Sequence, residues 1–303
     1  MCCDIKYKNI CGRTMEFCEN LQTEIVFRMN GRKMENYSYV GIKTAGISGI
    51  IDGINEKGLS CSLLTMEATV YFDLLTSFEP EFVNILDIPS NILSYCASVK
   101  EAKIYLENKS ICGGIIPDLN KTIGLHFVIH DIKESIVCEI LEGKLCIFEN
   151  KLGVVTNGPC YMEQLFEWEN FCFTDKSIPG DWSSKSRFIK CCEILKRIKN
   201  SQKELQNQNV DDIQTLLHIF NNVDIPKGVS FSIRENIGKV YETTQWVFIK
   251  DLETQKIYYR TRENMNIQCI DFGIMNKCVD YENIKIDIFS TMITEIVPKI
   301  KNI

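Results

Sequence analysis

The chain has 303 residues, of which 45% are hydrophobic and 24% are charged. This composition is typical of a globular protein that buries a sizeable core. The 34 basic and 40 acidic residues give a formal net charge of −6. Such an acidic chain lacks the basic surface that nucleic acids and anionic membranes require. No run of about 18 apolar residues is present for a membrane span. The composition therefore argues against nucleic-acid and membrane partners.

Short strands are predicted through most of the first 160 residues. The patterns favour strands at 2–7, from about 11, and at 23–28, 37–44, 48–52, 59–65, 122–130, 135–141, 144–150 and 153–156. The segment Gly53–Gly58 is rich in turn formers and predicts a turn between two of these strands. Residues 80–96 and 99–108 are predicted as helices, since their apolar positions recur among polar ones.

The second half begins with helices, predicted at 161–172, 186–198 and 210–222. A late hairpin is predicted from strands at 245–250 and 255–259, and the polar stretch 199–208 is expected to be a surface loop. Strands, helices and strands follow one another without regular alternation, which favours α+β layers over a doubly wound sheet. Neither a linker nor a repeat divides the chain, so residues 1–303 are expected to form a single domain.

Cysteine is unusually frequent, with 15 residues and no pair at C-x-x-C spacing. This spacing argues against zinc ribbons, thioredoxin-like motifs and iron–sulfur sites. No secretory signal precedes the first cysteines, so we expect a cytoplasmic protein with reduced thiols. The thiol excess leaves a non-enzyme alternative open, a thiol-rich protein that binds metal or senses redox state. The histidines lie in apolar runs, which favours packing roles: His126, His130 and His218.

Cys2 follows the initiator methionine at the head of a predicted strand. A small second residue permits removal of Met1, which would leave Cys2 with a free α-amino group. An α-amino group titrates at about 8, so a useful fraction is neutral at pH 7. A single residue would then supply both nucleophile and base, as in threonine nucleophiles served by their own amine. The alternative is an accidental cysteine in a disordered terminus.

Arg13 and Glu16 lie one hairpin's length beyond Cys2. A strand at 2–7, a turn and a second strand would place Arg13 beside the thiol. A guanidinium favours the thiolate form, and a nearby carboxylate can hold the α-amine. The alternative is an exposed cross-strand ion pair of little energetic value.

Five segments occur together and in order: Cys2, Gly12-Arg13, Asn55–Leu59, Val155–Pro159 and Ile178–Phe188. Together they resemble the choloylglycine hydrolase family, which holds bile salt hydrolases and penicillin V acylases. The resemblance extends over nearly the whole chain. It implies a four-layer αββα sandwich of the N-terminal-nucleophile hydrolase type, within the α+β class that the element order favours. It also implies a cysteine amidohydrolase that needs no cofactor and no metal.

The resemblance assigns roles to individual residues. Cys2 would be the nucleophile, with its own α-amine as base, and Arg13 would lie against the thiol. Glu16 occupies a position where the family usually has aspartate, whose carboxylate meets the α-amine. Asn157 would stabilise the oxyanion through its side-chain amide, and Arg187 would support the site.

Thr65 departs from the family pattern. Bile salt hydrolases usually have asparagine at this position, and penicillin V acylases often have tyrosine. The family uses the backbone N–H there to complete the oxyanion hole, so threonine retains that group but lacks the side-chain amide. Together with Glu16, this departure leaves open a family member that has lost catalysis.

The resemblance implies a small N-acyl amide as substrate. Bile acids conjugated to glycine or taurine come first, and penicillin V or another N-acyl amide, such as an acyl-homoserine lactone, is the alternative. Bile-acid-cleaving members often form tetramers through an extended loop between the segments matching Asn157 and Arg187. Residues 160–177 are short here, so we expect a homo-oligomer that is a dimer rather than a tetramer.

Overall fold

Two large antiparallel sheets form the centre of the computed structural model. The structure describes residues 2–18, 21–29, 36–44, 46–71, 82–107, 109–116, 121–174, 177–204, 211–234, 238–275 and 285–289. Met1, residues 80–81, Asn108 and residues 205–210, where predictions were made, lie outside these ranges. The rest of the description refers to this part of the chain.

The elements of the first half are β1 Cys2–Tyr7, β2 Ile10–Phe17, β3 Thr23–Arg28, β4 Tyr39–Thr44, β5 Asp52–Asn55, β6 Ser60–Thr65, β7 Phe82–Asn84, α1 Ile88–Tyr95, α2 Val99–Leu106, β8 Ser110–Cys112, β9 Ile115–Ile116, β10 Lys121–Thr122, β11 Leu125–His130, β12 Ser135–Leu141, β13 Lys144–Glu149 and β14 Val154–Thr156. The second half contains α3 Tyr161–Phe173, α4 Ser184–Glu204, α5 Asp212–Asn221, β15 Ser230–Arg234, β16 Gly238–Asp251, β17 Lys256–Thr261, β18 Gln268–Asp271, α6 Phe272–Met275 and β19 Lys285–Asp287.

The first sheet has the order β14-β1-β2-β16-β17-β18, with β15 paired to β16. The second has the order β13-β12-β11-β6-β5-β4-β3-β19. Apolar side chains from both sheets meet between them, among them Phe27 and Val40 from one sheet and Trp246 and Phe248 from the other. Truncating such buried aromatic side chains to alanine typically costs about 3–5 kcal/mol.

Helices cover the outer face of each sheet. Helix α1 packs on β5 and β6 and helix α2 on β11, where they bury Ile92, Leu93 and Ala102. Helices α4 and α5 pack on β1 and its neighbours, and α3 packs on α4. The layers therefore follow the order helix, sheet, sheet, helix, which confirms the predicted α+β, four-layer αββα class. None of the described helices is long and apolar enough to cross a membrane.

Some predicted boundaries were wrong. The segment 48–52 is not a strand, since β5 begins at Asp52, and residues 82–84 form strand β7 rather than the start of a helix. The turn after β5 is shorter than expected and is held by Asn55, whose Oδ1 accepts hydrogen bonds from the N–H groups of Lys57 and Leu59. Gly58 has φ +78°, and a Cβ there would lie 2.1 Å from the carbonyl oxygen of Leu252. This position therefore requires glycine.

Candidate active site

Cys2 begins β1, the strand that lies between β14 and β2 in the first sheet. Successive side chains of a strand point to opposite faces. Asp4 bonds to His130 of the second sheet, whereas Cys3 contacts Cys191 on α4. Cys2, which shares a face with Asp4, therefore points between the two sheets. Its side chain is only 2% exposed.

Arg13 lies on β2, where the register sets Cys2 opposite Met15 and Asp4 opposite Arg13. Its Nη2 donates to the Cys2 Sγ at 3.2 Å, and its Nη1 donates to the carbonyl oxygen of Ile51 at 2.9 Å. Burial disfavours the charged guanidinium, but the Cys2 sulfur and the carboxylates of Asp52 and Asp4 raise the pKa of Arg13 above its usual value. The thiol therefore has a permanent cation as neighbour.

Asn157 follows β14 and connects the thiol strand to the second sheet. Its Oδ1 accepts a hydrogen bond from the backbone N–H of Cys2. Its Nδ2 donates to the carbonyl oxygen of Thr65 at 2.9 Å and to Thr65 Oγ1 at 2.7 Å. The amide therefore lies between Cys2 and Thr65, with its N–H groups directed away from the strand of the thiol.

Arg187 lies in the first helical turns of α4 and is fully buried. Its Nη2 donates to Asn157 Oδ1 at 3.3 Å, and its Nε donates to the carbonyl oxygen of Trp182 at 3.1 Å. Because the guanidinium binds the amide oxygen, it holds the amide nitrogen of Asn157 on the side of Thr65.

Glu16 is on the opposite face of β2 from Arg13, because the two are three residues apart. Its Oε2 lies 3.7 Å from Arg187 Nη1, and its Oε1 accepts a hydrogen bond from Thr244 Oγ1 at 3.0 Å. Burial raises the pKa of Glu16, while the guanidinium of Arg187 opposes the shift. The register places Glu16 one position beyond the end of β1, so its carboxylate borders the N-terminal end of the thiol strand.

Local hydrogen bonds fix the two segments that carry Asn157 and Arg187. Gln164 on α3 bonds both the N–H and the C=O of Thr156, at 3.1 and 3.0 Å. Ahead of Arg187, hydrogen bonds from Ser183 and Ser186 lower the pKa of Asp181 to about 2. Ser183 caps α4, because its Oγ accepts a hydrogen bond from the N–H of Ser186 at 3.2 Å. The charge of Asp181 just ahead of this cap suits the positive end of the helix dipole.

Two further side chains, Met15 and Trp246, lie against the guanidinium of Arg13. Met15 Sδ is 3.6 Å from Cys2 Sγ and 3.2 Å from Arg13 Nη2. The alternation of β2 could have placed Met15 on the face of Arg13. Trp246 on β16 lies 5.5 Å from the Arg13 guanidinium, measured to the ring centroid. It comes from a strand more than 200 residues away, and no local pattern predicts that contact.

The histidines differ from their predicted packing role. His130 and His126 are buried, but each lies against a buried carboxylate, Asp4 at 2.7 Å and Glu139 at 3.4 Å. His218 is exposed. Across the described ranges, no three His, Cys, Asp or Glu side chains are grouped as metal ligands would be. The described cysteines are free thiols.

A cleft of about 570 Å³ lies at the far end of β1 and is lined by Lys6, Lys103, Ser135 and Asn150, among others. None of the six predicted site residues lines this cleft. Cys2, Arg13, Asn157 and Thr65 come together instead at the opposite end of the strand.

Comparison with known proteins identifies the family of the chain. The profile of the linear amide C–N hydrolases, choloylglycine hydrolase family, matches residues 1–287. The chain belongs to the choloylglycine hydrolase family. It is therefore a hydrolase of the class that acts on linear amide C–N bonds, with the N-terminal-nucleophile hydrolase fold.

Individual relatives are similar to this chain over most of their length. A bile salt hydrolase/transferase of Clostridium perfringens is 28% identical over 308 residues, with 88% of each chain covered. An uncharacterized protein of Paramecium bursaria Chlorella virus 1 is 28% identical over 277 residues, covering 86% of this chain and 94% of the viral one. A mutant of the conjugated bile acid hydrolase of Clostridium perfringens superimposes with TM-score 0.78 at 25% identity, covering 94% and 96% of the two chains.

Proposed function

We propose that this family member cleaves N-acyl amides through Cys2, and that conjugated bile salts are its first class of substrate. One observation carries the proposal: the sulfur of Cys2 receives a hydrogen bond from a buried arginine, while Asn157 lies at the same strand end. A thiol with a cation beside it is a strong nucleophile. An amide N–H nearby suits an oxyanion. The proposed catalytic unit is the single domain predicted over residues 1–303, with Met1 removed and without a cofactor.

The reaction begins in a chain from which Met1 has been removed. The α-amine of Cys2 takes the thiol proton, and Sγ attacks the carbonyl carbon of the amide. The tetrahedral intermediate collapses as the α-amine passes the proton to the leaving nitrogen, and the C–N bond breaks. A water molecule, deprotonated by the same amine, then hydrolyses the thioester and releases the acid.

Two donors serve the oxyanion in this proposal: the side-chain amide of Asn157 and the backbone N–H of Thr65. The amide of Asn157 donates to Thr65 in this structure, and the substrate oxygen would take over one of these hydrogen bonds. Arg187 keeps the amide oriented through its oxygen. The carboxylate of Glu16 would serve as counter-charge to the α-amine of the processed chain, because the register sets Glu16 just beyond the N-terminal end of β1.

The direct test is a hydrolysis panel of glycocholate, taurocholate, penicillin V and acyl-homoserine lactones, run with the wild type and a Cys2→Ala variant. We expect the bile salts to be cleaved fastest and every activity to depend on Cys2. Faster cleavage of penicillin V or a lactone would assign the protein to the alternative, an N-acyl amide acylase of different acyl preference. A panel with no turnover would favour a member that has lost catalysis.

Replacing Asn157 by alanine removes one proposed oxyanion donor. We expect kcat to fall by about 10²–10³-fold with a much smaller change in KM, because this hydrogen bond gains strength in the transition state. Steady-state kinetics check the result. The exposed Asn266→Ala variant is the matched control and should retain wild-type kcat. An Asn157→Ala enzyme with normal kcat would remove this residue from the oxyanion hole.

Thr65→Asn is expected to shift specificity towards bile salts. Asparagine offers a donor and an acceptor where threonine has a hydroxyl and a methyl. One buried hydrogen bond is worth about 0.5–1.5 kcal/mol, so a change of about two- to tenfold in this ratio is expected. The measurement is the ratio of kcat/KM for glycocholate to that for penicillin V in both proteins. An unchanged or reversed ratio shows that Thr65 does not set specificity.

Assembly is expected to stop at a dimer. In the described part of the segment between Asn157 and Arg187, α3 ends at Phe173 and α4 begins at Ser184, which leaves little chain for an extended arm. Phe166 and Phe173 on α3 are 62% and 88% exposed, as expected of a surface that a partner covers. Light scattering at micromolar concentration should give a dimer mass. A stable tetramer contradicts the expectation.

The family match assigns the chain to hydrolases, which argues against the alternative of a thiol-rich, non-enzymatic protein that binds metal or senses redox state.

A further inference from the structure

Four buried charged side chains form a polar layer between the two sheets, beneath Cys2: Asp4, Arg13, Asp52 and Lys250. Asp4 and Arg13 face each other across β1 and β2, and Asp52 and Lys250 come from β5 and β16. All four side chains are at most 1% exposed. Burying charges is unfavourable unless each is paired, so the arrangement of partners in this layer has consequences for the thiol.

Each carboxylate has a cationic or polar partner other than Arg13. The Nζ of Lys250 forms an ion pair with Asp52 Oδ1, which also accepts a hydrogen bond from Ser62 Oγ at 2.8 Å. His130 Nε2 lies 2.7 Å from Asp4 Oδ1. Arg13 makes no hydrogen bond to either carboxylate among those recorded for the described residues, and it bonds the sulfur of Cys2 instead.

The carboxylates nevertheless compete for the guanidinium. Asp4 and Asp52 each retain one buried oxygen, Oδ2, that accepts no hydrogen bond within the described part of the chain. Asp4 is the cross-strand partner of Arg13, and Asp52 directly follows Ile51, whose carbonyl oxygen accepts a hydrogen bond from Arg13 Nη1. Both carboxylates therefore lie near the guanidinium, and both raise the pKa of Arg13 against the effect of its burial. A carboxylate binds a guanidinium more strongly than a neutral thiol does, because both partners are charged.

We propose that Lys250 is a positioning residue: by holding Asp52, it leaves the guanidinium of Arg13 for the sulfur of Cys2. This inference rests on the proposed role of Cys2 as nucleophile. In a chain without the ammonium group of Lys250, the carboxylate of Asp52 binds the guanidinium of Arg13. The guanidinium then leaves the sulfur of Cys2, and the thiolate loses its neighbouring cation. Without Asp52, the ammonium group adds an uncompensated positive charge to the layer and favours the thiolate.

The readout is the pH at which the alkylation rate of Cys2 by iodoacetamide reaches half its maximum, followed by peptide mass mapping. The other titratable or charged residues near Arg13 and Cys2 are not substituted in any of the variants. They are Asp4 on β1, Cys11 and Glu16 on β2, His130 on β11 and Arg187 on α4. Alkylation needs no substrate, so this test can fail while the hydrolase proposal stands, and the reverse also holds.

In Lys250→Met we expect the midpoint to rise by about one pH unit, because an unpaired carboxylate replaces an ion pair near the thiol. In Asp52→Asn the pH midpoint of alkylation should fall by about half a pH unit, because the positive charge of Lys250 is then uncompensated. The double variant Asp52→Asn/Lys250→Met should return close to the wild type. A matched control is Lys8→Met, which breaks the exposed Lys8–Asp212 ion pair of 2.7 Å and should leave the midpoint unchanged.

Shifts of opposite sign in the single variants, cancelled in the double, support the inference, since a purely structural defect gives no such sign pattern. Shifts in the same direction, or none, in folded proteins overturn it. Breaking a buried pair from one side destabilises strongly. If Lys250→Met does not fold, the inference is tested by Asp52→Asn and by the double variant. Asp52→Asn is expected to fold, because asparagine retains the side-chain volume and the hydrogen bond with Ser62. A midpoint unchanged or raised in Asp52→Asn then overturns the inference.

Discussion

Cys2→Ala is expected to lower hydrolysis of every substrate by at least about ten-thousand-fold, because removing a covalent nucleophile leaves only substrate binding and the oxyanion donors. The fold should persist, since alanine retains the Cβ and loses one sulfur atom. Steady-state rates with glycocholate, together with circular dichroism spectra, check both statements.

Cys3→Ala is the matched control for this variant. Cys3 is the next residue of β1 and is as buried as Cys2, but it faces α4, where its sulfur lies 3.6 Å from Cys191 Sγ. The hydrogen bond with Cys191 and, next to it, burial raise the pKa of Cys3 well above its usual value. Its thiol therefore stays protonated, and we expect turnover to survive in Cys3→Ala. Loss of activity in both variants would point to a structural effect on β1.

A residue retained ahead of Cys2 is expected to abolish activity almost as completely. An amide nitrogen is neither basic nor able to take the thiol proton, so an uncleaved Met1 or a fused tag removes the proposed base. Intact-mass spectrometry of active and inactive preparations gives the state of the terminus. A tag at the C-terminus is the control and should be tolerated. Full activity in a preparation that retains Met1 is incompatible with the mechanism.

Much of the fold could be predicted because alternation is a local signal. The strands of the first sheet that carry Cys2 and Arg13 were predicted from residues within each strand, and hairpin geometry brought Arg13 to the thiol. The same alternation places Glu16 on the other face of β2, where it pairs with Arg187 and Thr244. The expected contact between the Glu16 carboxylate and the α-amine of Cys2 follows from the family resemblance and not from the strand pattern.

Features that depend on distant strands could not be predicted. The pairing of Asp52 with Lys250 joins residues almost 200 positions apart, and each looks like an ordinary surface charge within its own segment.

The helix α4 extends to Glu204, into the expected loop at 199–208. Lysine and glutamate are good helix formers, so the polar end of α4 continues as helix where polarity alone suggested a loop. Residues 205–208 lie outside the described ranges.

The central claim is that the acyl group of the substrate is transferred to the sulfur of Cys2 as a thioester before it is hydrolysed. The measurement that tests it most directly is mass spectrometry of enzyme quenched in acid during turnover of glycocholate, followed by peptide mapping. We predict a cholyl thioester on the peptide that begins with Cys2, absent from Cys2→Ala, together with a free N-terminal amine on that peptide. A turnover-competent enzyme that carries the acyl group on another residue, or a Cys2→Ala variant that still releases glycine, would contradict the account.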